Sequence, residues 1–510
     1  MGGEAPAPPS LLGGYGRGVG WTYLSLLLTG GSTFFLAAWS VRRVGTAQYG
    51  LFALVTSLAA LLTIFDYALG LTVQRAGSRV GAGEPDDENL TTVHAAHGAY
   101  VLLGLAGLAC TLVTCAVAGL AGPAGPPYLV ETVALLGAAS SLQLGTAALP
   151  AVALACRRFS LRSGATVVGV AVRVGVALLA VGRFGVAGLA LAQLLGVVVE
   201  RLVLAELVQR RIAWFTLRPT IPDRRALRDV SGYALPLLLI NVSAQLFAVS
   251  DLVAVGALVG ASAVGVYQVS SLVPLYIAAV LVVGYNVVFP SLAGSDDSAG
   301  QEQATMFLTR LFGYLGGTGL ALVAVLRRDV VELLLGRPDD LAEDVLLVLC
   351  AMSLANLVVH GLASLLIARG RQRLMARAVA IELPMNIVLT VALVVAFGAV
   401  GAAVGTLITA VLMDFLILPI VSRGEFGHPA LAITLRHGVV PAAAGVAVAL
   451  VGAQAARLAG TPAPRLLLAA SAAGVVAVAA GLALLGRGGR RTVRDAFAGT
   501  PPAAAYTRPT

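Results

Sequence analysis

The sequence predicts an all-α polytopic membrane protein of about 14 transmembrane helices. Three observations predict it. First, 58% of the 510 residues are hydrophobic and only 12% are charged, against roughly 25% charged in a soluble domain. A chain of this size in water would need polar cover, and lipid removes that need. Second, the apolar residues fall into runs of membrane-crossing length separated by short loops rich in arginine. Third, two short signatures recur at nearly the same offset.

A helix needs about 20 apolar residues to cross a bilayer. The first six runs meeting that need cover roughly 19–40, 49–73, 96–120, 129–155, 164–182 and 186–208. The next six cover 230–257, 263–290, 306–326, 341–368, 375–397 and 398–420, and the last two 438–457 and 464–486. Met1–Ser10 carries neither a basic n-region nor a cleavage site, so the first span is expected to stay in the membrane. Thr500–Thr510 is Pro/Ala-rich and is expected to be disordered. The four cysteines, Cys110, Cys115, Cys156 and Cys350, lie in or beside apolar runs without metal-ligand spacing. They read as packing residues, so no metal is expected.

All 34 basic residues are arginine, a bias that fits a GC-rich bacterial genome. The net charge of +9 is compatible with nucleic acid, but its distribution fits membrane topology better. With the N-terminus inside and the sides alternating, inside loops hold about 23 arginines and outside loops about 8. The densest inside clusters are Arg210 to Arg228, Arg369 to Arg377, Arg157 to Arg162 and Arg487 to Arg494. Both termini are therefore expected in the cytoplasm of a bacterial plasma membrane, with no nucleic-acid partner. No loop leaves room for a catalytic domain and no GxxxxGK[ST] phosphate loop occurs. The acidic cluster Asp339, Asp340, Glu343 and Asp344 reads as a helix start, not a catalytic loop. The chain is thus read as a non-enzyme without cofactor.

The run Gly45-Thr-Ala-Gln-Tyr-Gly50-Leu-Phe52 recurs as Gly260-Ala-Ser-Ala-Val-Gly265-Val-Tyr267. Phe184-Gly185-Val-Ala-Gly188-Leu-Ala190 recurs as Phe397-Gly398-Ala-Val-Gly401-Ala-Ala403. Six spans separate the copies, so the halves share one orientation about an axis along the membrane normal. The glycines read as tight turns between spans that need positive φ, or as helix-packing residues. The boundaries expected are a first half over 1–209, a basic linker over 210–229, a second half over 230–420, two extra helices over 421–486 and a tail over 487–510.

The run from Arg42 to Phe52 resembles the R-x-L-G-x-x-x-Y-G opening of polysaccharide flippases, and Phe65 to Gly70 is similar to the F-G-L element closing their second span. Tyr233-Ala234-Leu235-Pro236, Asp251, Gly265-Val266-Tyr267 and Phe289-Pro290 follow in the order of that family. The chain thus resembles the Wzx-type O-antigen and exopolysaccharide flippases of the multidrug/oligosaccharidyl-lipid/polysaccharide exporter superfamily. The resemblance implies two six-helix bundles forming a V around a central cavity. It implies translocation of undecaprenyl-pyrophosphate-linked glycans from inner to outer leaflet. Lipid II flippases and cation-coupled drug exporters are relatives. The exporters commonly carry an acid in the first span, and 19–40 has none. A membrane glycosyltransferase is the remaining alternative.

An ionisable side chain inside a span costs several kcal/mol and faces a cavity or a partner. Arg173, mid-span, suits a pyrophosphate because its planar fork donates two parallel hydrogen bonds, or it pairs with Asp66 or another acid. Asp66, Asp251 and Glu382 are candidates for binding H⁺ or Na⁺ or for gating; Asp66 also reads as a structural pair and Asp251 as an outer-gate group. Glu382 precedes Pro384 by two residues, a site or a hinge. Pro236 and Pro384 are the foremost hinge candidates for alternating access. Arg42 and Arg43, in an outer loop, either meet the substrate's phosphate or glycan on exit or cap a helix C-terminus. His360, Asp414, Glu200 and Arg201 read as pairing or packing groups.

Overall fold

The computed structural model describes residues 11–81, 87–120, 128–156, 158–219, 242–293 except 244 and 248, 298–425 and 429–484. Among them the regular elements are all helical. The first half comprises α1 (Leu11–Val44), α2 (Thr46–Ala60), α3 (Asp66–Gly81), α4 (Asp87–Leu120), α5 (Leu129–Gly145), α6 (Ala148–Ala155) and α7 (Phe159–Arg211). The second half comprises α8 (Gln245–Leu258), α9 (Ala261–Ala293), α10 (Ser298–Val325), the short α11 (Arg327–Leu335), α12 (Asp340–Ala368) and α13 (Gln372–Leu412). A π-helical turn, Met413–Ile417, continues α13 into α14 (Leu418–Val421). Beyond it lie α15 (Ala430–Ile433), α16 (Val440–Gln454) and α17 (Pro462–Leu484).

Among the described residues, 10 helices are long and apolar enough to cross a membrane. Two of them fold back on themselves. At about 1.5 Å per residue a straight helix of 53 residues would far exceed a bilayer, and α7 turns at Gly185 (φ 53°, ψ −132°). Likewise α13 turns at Gly398 (φ 62°, ψ −144°). The shorter apolar helices Gln245–Leu258 and Pro462–Ala477 stand within two further predicted spans, 230–257 and 464–486, of which 230–241 lies outside the described residues. Large apolar side chains face outward along them, as at Leu179 (79% exposed) and Val395 (72%). That is the surface of a protein whose solvent is lipid.

The repeated signatures have one conformational meaning. Gly185 and Gly398 sit at matching turns, in a region that side chains rarely adopt. A Cβ at Gly188 would lie 2.8 Å from the Ala180 carbonyl oxygen, and one at Gly401 only 1.9 Å from that of Leu393. The second glycine of each signature therefore lets the two arms close. Gly45 and Gly260 also have positive φ, at the entries to α2 and α9.

The second span runs through α2 and a 3-10 turn, Leu61–Phe65, directly into α3, and Asp66 at the junction is itself in helical conformation (φ −62°, ψ −43°). The helix at α13 passes Pro384 in helical conformation, and its one non-helical residue is Gly398. Pro236 lies outside the described residues. The acidic cluster does start a helix: Asp339 accepts from the Ala342 amide at 3.0 Å and caps α12.

The halves meet at one end. The largest apolar cluster joins Leu36, Val41 and Tyr49 of the first half to Val266, Leu334 and Leu346 of the second. All lie toward the end that carries Gly45 and Gly260. At the opposite, arginine-rich end the clusters stay within one half: Leu69, Val93, Tyr100 and Leu204 in the first, Val358, Leu366 and Leu418 in the second. The result is a V, closed by α2 against α9. A Cβ at Gly50 would lie 1.8 Å from the Ala261 carbonyl oxygen, and one at Gly265 2.1 Å from that of Thr46. Thr46 Oγ1 and Ser262 Oγ are 2.7 Å apart beside this crossing. The two backbones touch because both signatures place glycine where the helices cross.

A methyl group there cannot be absorbed by a side chain moving aside, since backbone opposes it. Gly50→Ala or Gly265→Ala should weaken the closed crossing by about 1–3 kcal/mol. The check is maleimide labelling of a cysteine placed at the cavity residue Gln268, in a background without the four native cysteines. Labelling from the Gly45/Gly260 end should be at least tenfold faster in either variant.

Candidate functional site

Between the halves, below the crossing, lies a cavity of about 550 Å³. Its wall is mainly apolar, with Leu36 and Phe52 on one side and Leu272 and Leu349 on the other. Two charged side chains of the described residues line it, Arg173 from the first half and Asp251 from the second.

Arg173 projects from the first arm of α7. Its Nη2 donates to Ser32 Oγ at 2.8 Å and to Thr33 Oγ1 at 3.3 Å, and its Nη1 donates to Gln193 Oε1 at 3.3 Å. Its Nε is buried without a partner. Small residues make room for it: a Cβ at Gly196 would lie 2.9 Å from that of Arg173. None of the ion pairs among the described residues involves Arg173. Neutral oxygens hold the guanidinium in place outside any ion pair, and the acid within electrostatic range is Glu200. A guanidinium so placed can take an anion as its direct partner.

Asp251 is 6% exposed. Its Oδ2 accepts from Tyr267 Oη at 2.6 Å and from Thr406 Oγ1 at 2.7 Å, and its Oδ1 accepts from Thr390 Oγ1 at 3.2 Å. Asn386 extends this shell, donating to Thr406 Oγ1 at 3.3 Å and accepting from Ser250 Oγ at 3.0 Å. Among the described residues no basic side chain pairs with Asp251. A carboxylate surrounded by hydroxyl and amide oxygens is hard-oxygen chemistry, suited to a proton or a small cation.

The other sequence candidates are elsewhere. Asp66 accepts from Tyr100 Oη at 2.9 Å and sits in the apolar core of the first half, within electrostatic range of Arg201 and Arg162. It is not paired with Arg173. Glu382 lies on α13 beyond the cavity, within electrostatic range of Asp414. Arg42 and Arg43 line a second cleft, of about 910 Å³, with Phe34, Trp39, Val273 and Leu466. Arg42 donates from Nη2 to the Leu333 carbonyl, and from Nε to that of Leu334 at 3.3 Å, capping α11 instead of its own helix. Arg43 lies over the Trp39 ring at 5.7 Å. Sequence reasoning missed the neutral shells: Ser32, Thr33 and Gln193 around Arg173, and Tyr267, Asn386, Thr390 and Thr406 around Asp251. The four-residue spacing of Asn386 and Thr390 within an apolar run was the available signal.

Residues 41–338 match the family described as polysaccharide biosynthesis protein. No curated protein matches the chain. In fold the chain is similar to the lipid II flippase MurJ in an inward closed conformation, with a TM-score of 0.68 at 12% identity over 91% of this chain and 98% of that one. It is similar to an outward-facing multidrug resistance MATE family transporter of the MOP superfamily, with a TM-score of 0.56 at 17% identity over 84% and 96%. A MOP superfamily transporter from Pyrococcus furiosus gives a TM-score of 0.55 at 15% identity over 83% and 100%. These likenesses are of fold. The sequence match spans more than half of the chain, which therefore belongs to the polysaccharide biosynthesis protein family.

Proposed function

We propose that this protein flips an undecaprenyl-pyrophosphate-linked oligosaccharide from the inner to the outer leaflet of the bacterial plasma membrane by alternating access. The observation that carries this reading is Arg173, a guanidinium held by neutral oxygens outside any ion pair in a cavity between two halves. A pyrophosphate supplies a direct ionic partner for it, and the apolar walls suit a lipid-linked substrate better than a soluble sugar. The family match and the flippase-like fold support the same reading. The closed end is then the outer one and the arginine-rich end the cytoplasmic one, with both termini inside. Asp251 is the coupling group, taking H⁺ or Na⁺ from the gradient. Arg42 and Arg43 guide the phosphate or glycan at the outer cleft. Pro384 gives α13 the freedom to bend as the halves rock, together with Pro236. The first half, linker, second half and extra helices divide at about 209, 229 and 420, as the repeat implies. The runner-up is a cation-coupled exporter of small amphipathic compounds.

Arg173→Ala should cut export of surface glycan by about 10- to 100-fold, the worth of a charge-assisted hydrogen-bond pair at about 1.5–3 kcal/mol. Arg173→Lys should restore only part of it, because an ammonium cannot present a fork. Normal glycan display by cells with correctly inserted Arg173→Ala protein would remove the residue from the mechanism.

Asp251→Asn keeps the shape of the side chain and one acceptor oxygen, replaces the other oxygen by an NH2 donor, and removes the charge. The variant should bind the lipid-linked substrate normally while its transport no longer responds to an imposed H⁺ or Na⁺ gradient. Retained gradient dependence would exclude Asp251 as the coupling group.

A further inference from the structure

The polar shell of Asp251 does not end at Asn386. On the first arm of α13, Glu382, Asn386 and Thr390 recur at four-residue spacing and so share one helix face. The second arm returns antiparallel, and three contacts set its register. Gly401 lies on the Leu393 carbonyl, Gly405 on the Thr390 backbone, and Thr406 accepts from Asn386. Continuing that register by two turns places Asp414 across from Glu382, and the two carboxyl groups lie within electrostatic range.

Three features mark this second level as a site. Asp414 is 8% exposed and its Oδ2 is buried without a hydrogen-bond partner among the described residues. The second arm departs from α-helix at this depth, and the first carries a proline there. Asp414 lies in the π-helical turn Met413–Ile417, and Pro384 has no N–H for the carbonyl of Ala380. The Ala380 carbonyl therefore lacks its usual helical donor on the first arm, and π-turns such as that of the second recur at functional sites. Third, none of the ion pairs among the described residues involves either acid. The helices packed against the π-turn are α12, α13 and α14. Their titratable groups near this depth are the half-buried His360 of α12 and the exposed Arg377 of α13. α14 has none.

We infer that Glu382 and Asp414, with the Ala380 carbonyl that Pro384 leaves without its helical donor, form a second binding site for a small monovalent cation. It lies on the arginine-rich side of the Asp251 site and is joined to it by the ladder Asn386, Thr390 and Thr406. The inference rests on the reading of Asp251 as a coupling group and extends it. The ion would leave through the second half, along the seam of the α13 hairpin, and not through the cavity that holds the substrate. Lipid and ion would then use separate routes, so a bulky glycan would not block the ion.

The test is equilibrium binding of radioactive Na⁺ to the full chain in nanodiscs at alkaline pH, with choline as the counter-salt. Thermal unfolding of each variant serves as the folding check. The wild type should bind two ions per chain, Glu382→Gln and Asp414→Asn one each, and Asp251→Asn one. Glu382→Asp, which keeps the charge, should regain the second ion. Loss of one ion in both Asp251→Asn and Glu382→Gln supports the pair. One ion in the wild type, removed by Asp251→Asn but not by Glu382→Gln or Asp414→Asn, overturns the second site and leaves the Asp251 reading intact. One ion removed by Glu382→Gln but retained in Asp251→Asn supports the pair and removes Asp251. No Na⁺ bound by the wild type overturns the second site.

Discussion

The crossing of α2 over α9 is the contact on which the rest depends. Two glycines, Gly50 and Gly265, bring backbone onto backbone at equivalent positions of a repeat. In lipid no hydrophobic effect drives helices together, so close packing of small residues must do it. Closure at this one end fixes the V. It also fixes the cavity beneath, with Arg173 on one wall and Asp251 on the other. Larger residues at the crossing would part the halves and give both charged groups water.

The two charged groups of the cavity follow one pattern. Neutral groups hold each of them outside any ion pair: Arg173 by two hydroxyls and an amide, Asp251 by three hydroxyls. A buried ion pair would be self-contained and would leave nothing for a ligand to neutralise. Neutral shells position a charge without cancelling it. The cost of holding such a charge is then recovered when the substrate or the coupling ion arrives.

Much of this was legible in the sequence because it depends on local chemistry. Among the described residues, ten helices long and apolar enough to cross a membrane fall on the apolar runs. The glycines of the repeated signatures lie at turns and close contacts that only glycine fits, because backbone conformation there is set by the residue itself. Asp339 was readable as a helix cap for the same reason. What the sequence withheld depends on tertiary placement. Arg42 was readable as a cap, but its partner, the C-terminus of α11, is nearly three hundred residues away in sequence. The serines and threonines around Arg173 and Asp251 are common in membrane helices, and only the fold shows which of them converge. Asp414 was read as a packing group because neither the hairpin register nor the π-turn can be seen in a linear chain.

The most direct test of the account is a leaflet-access assay with the wild-type chain in proteoliposomes. Fluorescent undecaprenyl-pyrophosphate-linked sugar is placed in the membrane and a reducing quencher is added outside. The account predicts that the protein makes the inner-leaflet lipid accessible under an imposed ion gradient, and that protein-free vesicles do not. No lipid movement under any gradient, together with gradient-driven movement of small amphipathic cations, would contradict it and leave an exporter.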